Sequence, residues 1–291
     1  MPATFADPAA EALHSASDQE EEALQPGLQR LDLIRVDRDG TRHQIERVVP
    51  DEVPVALVYN GISHVVMMAT PLDLEDFALG FSLSEGILAD PSELLDIESA
   101  RAGDGIEVRL QITGRAFAGL KDRRRNLTGR TGCGLCGVDS IDQAVRDLPA
   151  IRNDQRFVIS SIFRALDQLP ALQVLNKESR TLHAAAFCDE DGNVLALRED
   201  VGRHNALDKL IGVLRKRRID PATGFGVITS RCSSEMVQKA VAMGLPMLVA
   251  VSAPTGLAQE LADRYGLTLI GLARSDSLII VSEGWRLNEQ K

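Results

Sequence analysis

Cysteine is scarce in this chain of 291 residues: Cys133, Cys136, Cys188 and Cys232 are spread along a sequence with no recognisable signal peptide. That usage argues against a disulfide framework and predicts a reducing, cytoplasmic setting in which thiols are free for chemistry. No apolar run approaches the ~20 residues needed to cross a bilayer, so no membrane contact is expected. Positive charge is not in excess either, and the formal net charge of -10 disfavours general nucleic-acid binding. Two basic runs, Arg123-Arg124-Arg125 and Arg215-Lys216-Arg217-Arg218, are local exceptions, and the second fits a solvated helix C-terminal end. Tandem repeats are absent. What is present is 44% hydrophobic sequence, enough for one large or two moderate domains.

Residues 1–27 are rich in Ala, Ser, Asp and Glu and predict a flexible acidic tail. Residues 28–115 read as an N-terminal α+β lobe, 116–150 as a basic linker with a Cys-x-x-Cys loop, and 151–291 as a C-terminal α/β domain. In the first lobe, strands are expected over 31–49 and on both sides of Asn60-Gly61, a dipeptide suited to a tight hairpin. Thr70 is expected to cap a helix with Pro71 in its first turn, and Leu74, Phe77, Ala78 and Phe81 share its apolar face. Asp73, Glu75, Asp76 and Glu85 read as acids suited to a helix start, with no catalysis assigned.

From Thr181 onward the pattern becomes α/β. Strands over 181–188 and 193–198 join across Asp191-Gly192, and Asn205 is expected to cap a helix over 206–218. Strands at 226–229, 247–251, 267–270 and 278–281 alternate with helices at 233–243 and 257–265, which predicts a mostly parallel, helix-covered sheet. His183 reads as a satisfied core histidine.

Thr131-Gly132-Cys133-Gly134-Leu135-Cys136-Gly137 places two thiols three residues apart where glycines leave them little shielding. Arg115, Lys121, Arg123, Arg124, Arg125 and Arg130 lie just upstream, and cationic surroundings favour the reactive thiolate. By itself the pair fits half a zinc site, a redox pair, a sulfur-transfer site or two packed core thiols.

Three loops, Ser230–Ser234, Ser252–Thr255 and Leu272–Ser277, follow predicted strands and so gather on one sheet edge, where ligands commonly bind. The first two bring hydroxyls to helix N-termini, and the third adds Arg274, a fork for phosphate. Each alone reads as a capped turn; together they put a phosphorylated ligand on an equal footing with plain capping. In Asp200-Val201-Gly202-Arg203-His204-Asn205, His204 reads first as a surface or hydrogen-bonded residue, with anion or protein contact by Arg203 and His204 as the alternative.

Taken in order, several motifs resemble the FdhD family of sulfur-carrier accessory proteins of formate dehydrogenase. They are Thr70-Pro71-Leu72-Asp73-Leu74-Glu75-Asp76-Phe77 with Gly80-Phe81 and Glu85-Gly86, the Gly132–Gly137 loop, His183-Ala184-Ala185, and Glu199–Ala206. Ser230–Met236, Ser252–Thr255 and Thr268–Gly271 continue the series, so the resemblance runs from about residue 30 to 284. It implies a cytidine deaminase-like three-layer α/β domain with a smaller N-terminal lobe and the Cys-x-x-Cys loop between them.

The resemblance also implies a sulfurtransferase that accepts persulfide sulfur from a cysteine desulfurase. The sulfur would pass to the molybdenum bis(molybdopterin guanine dinucleotide) cofactor, the bound acceptor, for formate dehydrogenase. By position, Cys133 matches the persulfide cysteine and Cys136 its partner. Leu272, Ala273, Arg274, Ser275, Asp276 and Ser277 match the segment assigned to the guanine dinucleotide pterin. At Leu272 many members carry an aromatic residue that could stack on guanine; the pyrophosphate and backbone contacts do not depend on that ring. The sequence leaves a homodimer open.

Other classes remain. A zinc-dependent deaminase-like hydrolase would share the implied fold, but His183-Ala184-Ala185 lacks the glutamate of His-x-Glu and follows the cysteine pair instead of preceding it. A non-catalytic chaperone that binds the molybdenum cofactor predicts dispensable cysteines. A disulfide oxidoreductase would need a strand-to-helix entry that the basic linker does not offer.

Overall fold

The computed structural model describes residues 24–125 and 145–288, the side chains of 122–125 excepted. Most of the predicted acidic tail, the Cys133/Cys136 loop and the last three residues lie outside them.

Strands β1 (Leu28–Val36) and β2 (Arg42–Pro50) form an antiparallel hairpin. Strands β3 (Val53–Tyr59) and β4 (Ile62–Ala69) turn at Asn60 (φ 46°) and Gly61 (φ 79°), the two left-handed positions that a type I′ hairpin requires. Helix α1 (Leu74–Ser84) follows, then β5 (Leu94–Ala102) and β6 (Gly105–Ile112), giving a four-stranded sheet of order β4-β3-β6-β5. Leu74, Phe77 and Ala78 of α1 are buried with Leu57, Tyr59, Val108 and Leu110, as the helical spacing predicts. Helix α2 (Gly114–Arg125) buries Ala116 and Leu120 in the same core, so the basic segment begins on a packed helix.

The cap of α1 differs from expectation. Asp73, at φ 53°, occupies the cap position without a side-chain bond to the helix. Thr70 instead reaches into the larger lobe: its N–H donates to Asp200 Oδ2 (3.1 Å) and its Oγ1 accepts from the Val201 N–H (3.2 Å). A buried carboxylate needs donors, and that need outweighs local capping.

The second half contains β7 (Phe157–Val158), α3 (Ile159–Leu172), α4 (Val174–Ser179), β8 (His183–Cys188), β9 (Val194–Asp200) and α5 (Arg203–Lys216). It continues with β10 (Phe225–Ile228), α6 (Ser234–Met243), β11 (Met247–Ala250), α7 (Gly256–Tyr265), β12 (Thr268–Gly271), β13 (Ile279–Ser282) and β14 (Leu287–Asn288). Six of these strands form a sheet of order β13-β12-β11-β10-β8-β9. Alternate residues along them face two cores. Ala185, Phe187, Ile228, Leu248, Ala250 and Leu269 meet α5, α6 and α7, while Ala186, Cys188, Val227, Val249 and Ile270 meet α3. Helices therefore cover both faces, as in a three-layer α/β arrangement.

The sheet is more mixed than expected. Only β10–β11 and β11–β12 pair in parallel, whereas β8–β9, β10–β8 and β12–β13 are antiparallel. The β8–β9 and β12–β13 connections contain no crossover helix, and a parallel pairing needs one. Helix α5 begins two residues before Asn205, with Gly202 at the cap. The Asn205 amide turns inward and donates to the Met68 carbonyl (2.8 Å) and Asp200 Oδ1 (2.9 Å).

The two halves join where α1 crosses α5. A Cβ on Gly80 would fall on the Asp208 carbonyl oxygen, and one on Gly212 on the Asp76 carbonyl oxygen, so bare backbone on both helices permits the approach. Gly80→Ala is expected to cost about 3 kcal/mol through this overlap, read as a lower urea midpoint. An unchanged midpoint would show that the crossing is looser than described.

Candidate functional site

Because β9, β10, β11 and β12 run in one direction, their C-terminal ends share an edge with the start of β8. His183, the first residue of β8, pairs there with Asp200, the last of β9. The three loops that the sequence places on this edge are tied to one another by backbone. Cys232 N–H donates to the Ala253 carbonyl (3.3 Å), Thr255 N–H to the Cys232 carbonyl (3.0 Å), and Leu272 N–H to the Ser252 carbonyl (3.2 Å).

Thr255 caps α7 through the Ala258 N–H, as expected. Ser233 sits at the cap of α6 without making such a bond. In the Leu272–Ser277 turn, Arg274 N–H closes on the Ser277 carbonyl (2.7 Å), and Ser277 Oγ bonds Asp276 Oδ1 (3.0 Å). Leu272 adopts φ 50° and is 39% exposed, while Arg274, Ser275, Asp276 and Ser277 face solvent. Ala273 points inward and belongs to the core, so only its backbone is available to a ligand.

Cys133 and Cys136 lie outside the described residues, but the other two thiols are placed. Cys188 and Cys232 are both buried, and burial pushes each thiol up to about 12. Neither supplies an appreciable thiolate near neutral pH, so both are packing residues. Among the described residues no group of three His, Cys, Asp or Glu is arranged to hold a metal ion.

Beside this edge runs a polar seam that sequence reasoning missed. Asp200 and Lys209 form an ion pair at 2.7 Å with both side chains 0% exposed. Asp200 also accepts from the N–H groups of Thr70 and Gly202, and Lys209 Nζ donates to the Thr70 carbonyl (3.0 Å). A second group centres on Lys239, whose Nζ meets Asp208 Oδ1 (2.9 Å), Ser84 Oγ (2.9 Å) and Glu85 Oε1 (2.7 Å). Burial opposes its charge, yet Asp208 and Glu85 outweigh burial and hold the ammonium above its ordinary range. The available signal was a lysine inside an apolar helical stretch: Lys209 between Leu207 and Leu210, and Lys239 between Val237 and Ala240.

Arg146, close after the residues that carry the cysteine loop, ties the returning chain to this seam. Its N–H donates to Gln238 Oε1 (2.8 Å), its guanidinium bonds the Ser84 carbonyl, and its carbonyl accepts from Tyr265 Oη (2.7 Å). The acids of α1 are also structural partners: Arg198 bonds Asp76 Oδ2 (2.8 Å) and Lys216 bonds Asp76 Oδ1 (2.9 Å). The basic run at the end of α5 is thus partly engaged across the seam instead of fully solvated.

His183 is half-buried at the edge and not a core histidine. Burial, followed by the Arg203 charge, lowers its pKa. His204 Nε2 lies 2.6 Å from Glu235 Oε2, and that partner holds the Glu235 carboxyl below its ordinary range.

Glu85 gives the seam a pH signature. Burial disfavours its charge, but Lys239 and Arg146 together bring the carboxyl down to about 2. With the folded value below the unfolded one, its stabilisation is full above about pH 4.5 and is lost as pH falls towards 2. The side chain is 37% exposed, so screening reduces the effect. Glu85→Gln is expected to lower stability at pH 7 and to flatten the acid limb of a stability profile between pH 4.5 and 2.

An α/β chain with a four-stranded and a six-stranded sheet, three hydrogen-bonded loops on one sheet edge, two buried thiols and an ionic seam between its halves has the build of a binding or transfer protein. Residues 50–288 match the FdhD/NarQ family, and the chain belongs to it. It is 49% identical over 265 residues to the sulfur carrier protein FdhD of Variovorax paradoxus (strain S110), covering 91% of this chain and 95% of that one. It is 52% identical over 243 residues to the protein of the same description from Cupriavidus necator (strain H16), covering 83% and 84%. A crystal structure from Desulfotalea psychrophila, assigned as a formate dehydrogenase accessory protein, shares the fold with a TM-score of 0.71 at 22% identity. The match covers 90% of this chain and all of that one.

Proposed function

We propose that this chain is a sulfur carrier serving formate dehydrogenase and that it acts as a sulfurtransferase through a persulfide on Cys133. The observation that carries the reading is the sorting of the thiols: Cys188 and Cys232 are buried with thiols at about 12, which leaves the glycine-flanked pair for chemistry. Family membership and the sulfur-carrier relatives supply the class of reaction.

In loading, the Cys133 thiolate attacks the outer sulfur of a cysteine desulfurase persulfide. The donor S–S bond breaks, the new S–S bond forms on Cys133, and the donor cysteine leaves as a thiolate. In release, Cys136 thiolate attacks Cys133 sulfur and expels hydrosulfide, leaving a Cys133–Cys136 disulfide that a dithiol reductant reopens.

The acceptor in this reading is the molybdenum bis(molybdopterin guanine dinucleotide) cofactor, treated as substrate. The donors at the edge suit its anionic end, with Arg274 exposed for a pyrophosphate and the hydroxyls and backbone of Ser275 and Ser277 around it. Leu272 offers an apolar surface without a ring. The six-stranded lobe, helix-covered on both faces, is read as cytidine deaminase-like, and the setting as a reducing cytoplasm.

The test is formate dehydrogenase activity in a bacterial strain that lacks its own member of the family. Expression of this chain is expected to restore activity, and Cys133→Ala to leave it unrestored. Equal activity with and without the chain would contradict the reading.

A further inference from the structure

The chain that returns from the cysteine-bearing segment is held by side chains and not by secondary structure. Residues 145–151 belong to no helix or strand. The Arg146 N–H donates to Gln238 Oε1 (2.8 Å), and the Arg146 carbonyl accepts from Tyr265 Oη (2.7 Å). Five residues on, the Ile151 N–H donates to the Tyr265 carbonyl (2.8 Å), so Tyr265 holds this stretch at both ends. Val145, Leu148 and Ile151 pack against the core under α5, α6 and α7. The Arg146 guanidinium crosses to the first half and bonds the Ser84 carbonyl at the end of α1, whose last turn has no basic residue of its own. One residue thus joins α6, α7 and α1.

Gln238 and Tyr265 are 3% and 4% exposed. Leucine and phenylalanine would fill the same space, and a buried amide or phenol costs stability when unpaired. Each meets Arg146 here, so their polar atoms fix where that residue lies. The direction of the stretch follows from the helices. Both α6 and α7 start at the sheet edge where the three loops gather. Tyr265 is the last residue of α7, about 14 Å along the axis from that start, whereas Gln238 is four residues into α6, about 6 Å from it. From Ile151 back to Arg146 the chain therefore climbs towards the edge.

We propose that Arg146, Gln238 and Tyr265 are positioning residues for sulfur delivery: they fix the root of the cysteine-bearing segment at the junction of the two halves and aim it at the loop edge. This role rests on the sulfur-carrier reading and belongs to delivery, not to loading. In loading a desulfurase comes to the thiol, whereas in delivery the carried sulfur must meet an acceptor held on the chain, so only the second step depends on where the root lies. Chain length is a minor factor. Released at Arg146, the chain after α2 would next be hydrogen-bonded at Ile151. That lengthens it from 21 residue steps (125 to 146) to 26 (125 to 151) and lowers encounter only about 1.4-fold by loop-closure scaling. A larger loss reports direction.

Single-turnover transfer tests this role. The full chain is loaded by a cysteine desulfurase with labelled cysteine, its label is counted, and it is mixed with excess formate dehydrogenase isolated from a strain that lacks the family. Tyr265→Phe combined with Gln238→Leu is expected to load as the parent does and to deliver about fivefold more slowly per loaded chain, the factor that one net hydrogen bond carries. Arg264→Gln, beside Tyr265 on the exposed side of α7, is expected to match the parent in both steps. A loss of delivery no larger than about 1.4-fold overturns the role. So does a fall in loading equal to the fall in delivery, the mark of a general structural defect. If the double variant does not fold, Tyr265→Phe decides by the same two outcomes. A parent chain that neither loads nor delivers contradicts the sulfur-carrier reading itself, and the positioning role falls with it.

Discussion

Cys133→Ala is expected to reduce sulfur transfer from a cysteine desulfurase by roughly 1,000-fold or more, the scale seen when a nucleophile is removed outright. The expectation rests on the absence of a substitute. Cys188 belongs to the core between the sheet and α3, and Cys232 to the core under α6 and α7. With both thiols pushed up to about 12, their thiolate fraction near pH 7 is about one part in 10⁵. Cys136→Ala is expected to behave differently, loading sulfur at the parent rate while slowing release about tenfold, because release is the step in which a second thiolate attacks. Transfer assayed with labelled cysteine separates the two steps. Equal loading by Cys133→Ala and the parent would remove Cys133 from the mechanism.

Lys209→Met is expected to destabilise the chain by about 3–5 kcal/mol, the usual consequence of leaving one member of a buried ion pair uncompensated. Asp200 would keep the Thr70 and Gly202 amides and Asn205 Nδ2, which places the loss towards the lower end. Because Asp200 binds both Thr70, after β4, and the turn that starts α5, the pair also holds the first sheet against the sheet edge. Asp200→Asn combined with Lys209→Met is expected to recover part of the stability, since no bare buried charge remains. Urea denaturation at pH 7 measures both. A loss below about 1 kcal/mol in the single variant would mean that water compensates the carboxylate.

Elements were legible in the sequence where local chemistry decides them. Asn60-Gly61 forms the expected hairpin, Gly244 and Gly266 stop α6 and α7 at φ 84° and 69°, and Thr255 caps its helix. The gathering of the three loops on one edge followed from strand–helix alternation, and the structure joins them by hydrogen bonds. What was not legible depends on partners far away in the chain. Thr70 and Asn205 have the composition of caps, but a buried carboxylate 130 residues from Thr70 draws the first of them, and the second, into one network. His183 sits in an apolar run that suggests a core residue, yet its place at the start of β8 puts it on the open edge. The antiparallel β13 was equally hidden, because strand direction depends on whether a connection crosses the sheet and not on the strand's own residues.

The central claim, that Cys133 carries the sulfur, is tested most directly by mass analysis of the protein after incubation with a cysteine desulfurase and cysteine, without reductant. An addition of about 32 Da, one sulfur atom, is expected on the peptide containing Cys133, absent from Cys133→Ala and present in Cys136→Ala. Sulfur found on the Cys188 or Cys232 peptide, or no addition to a desulfurase-treated chain that is otherwise folded, would contradict it.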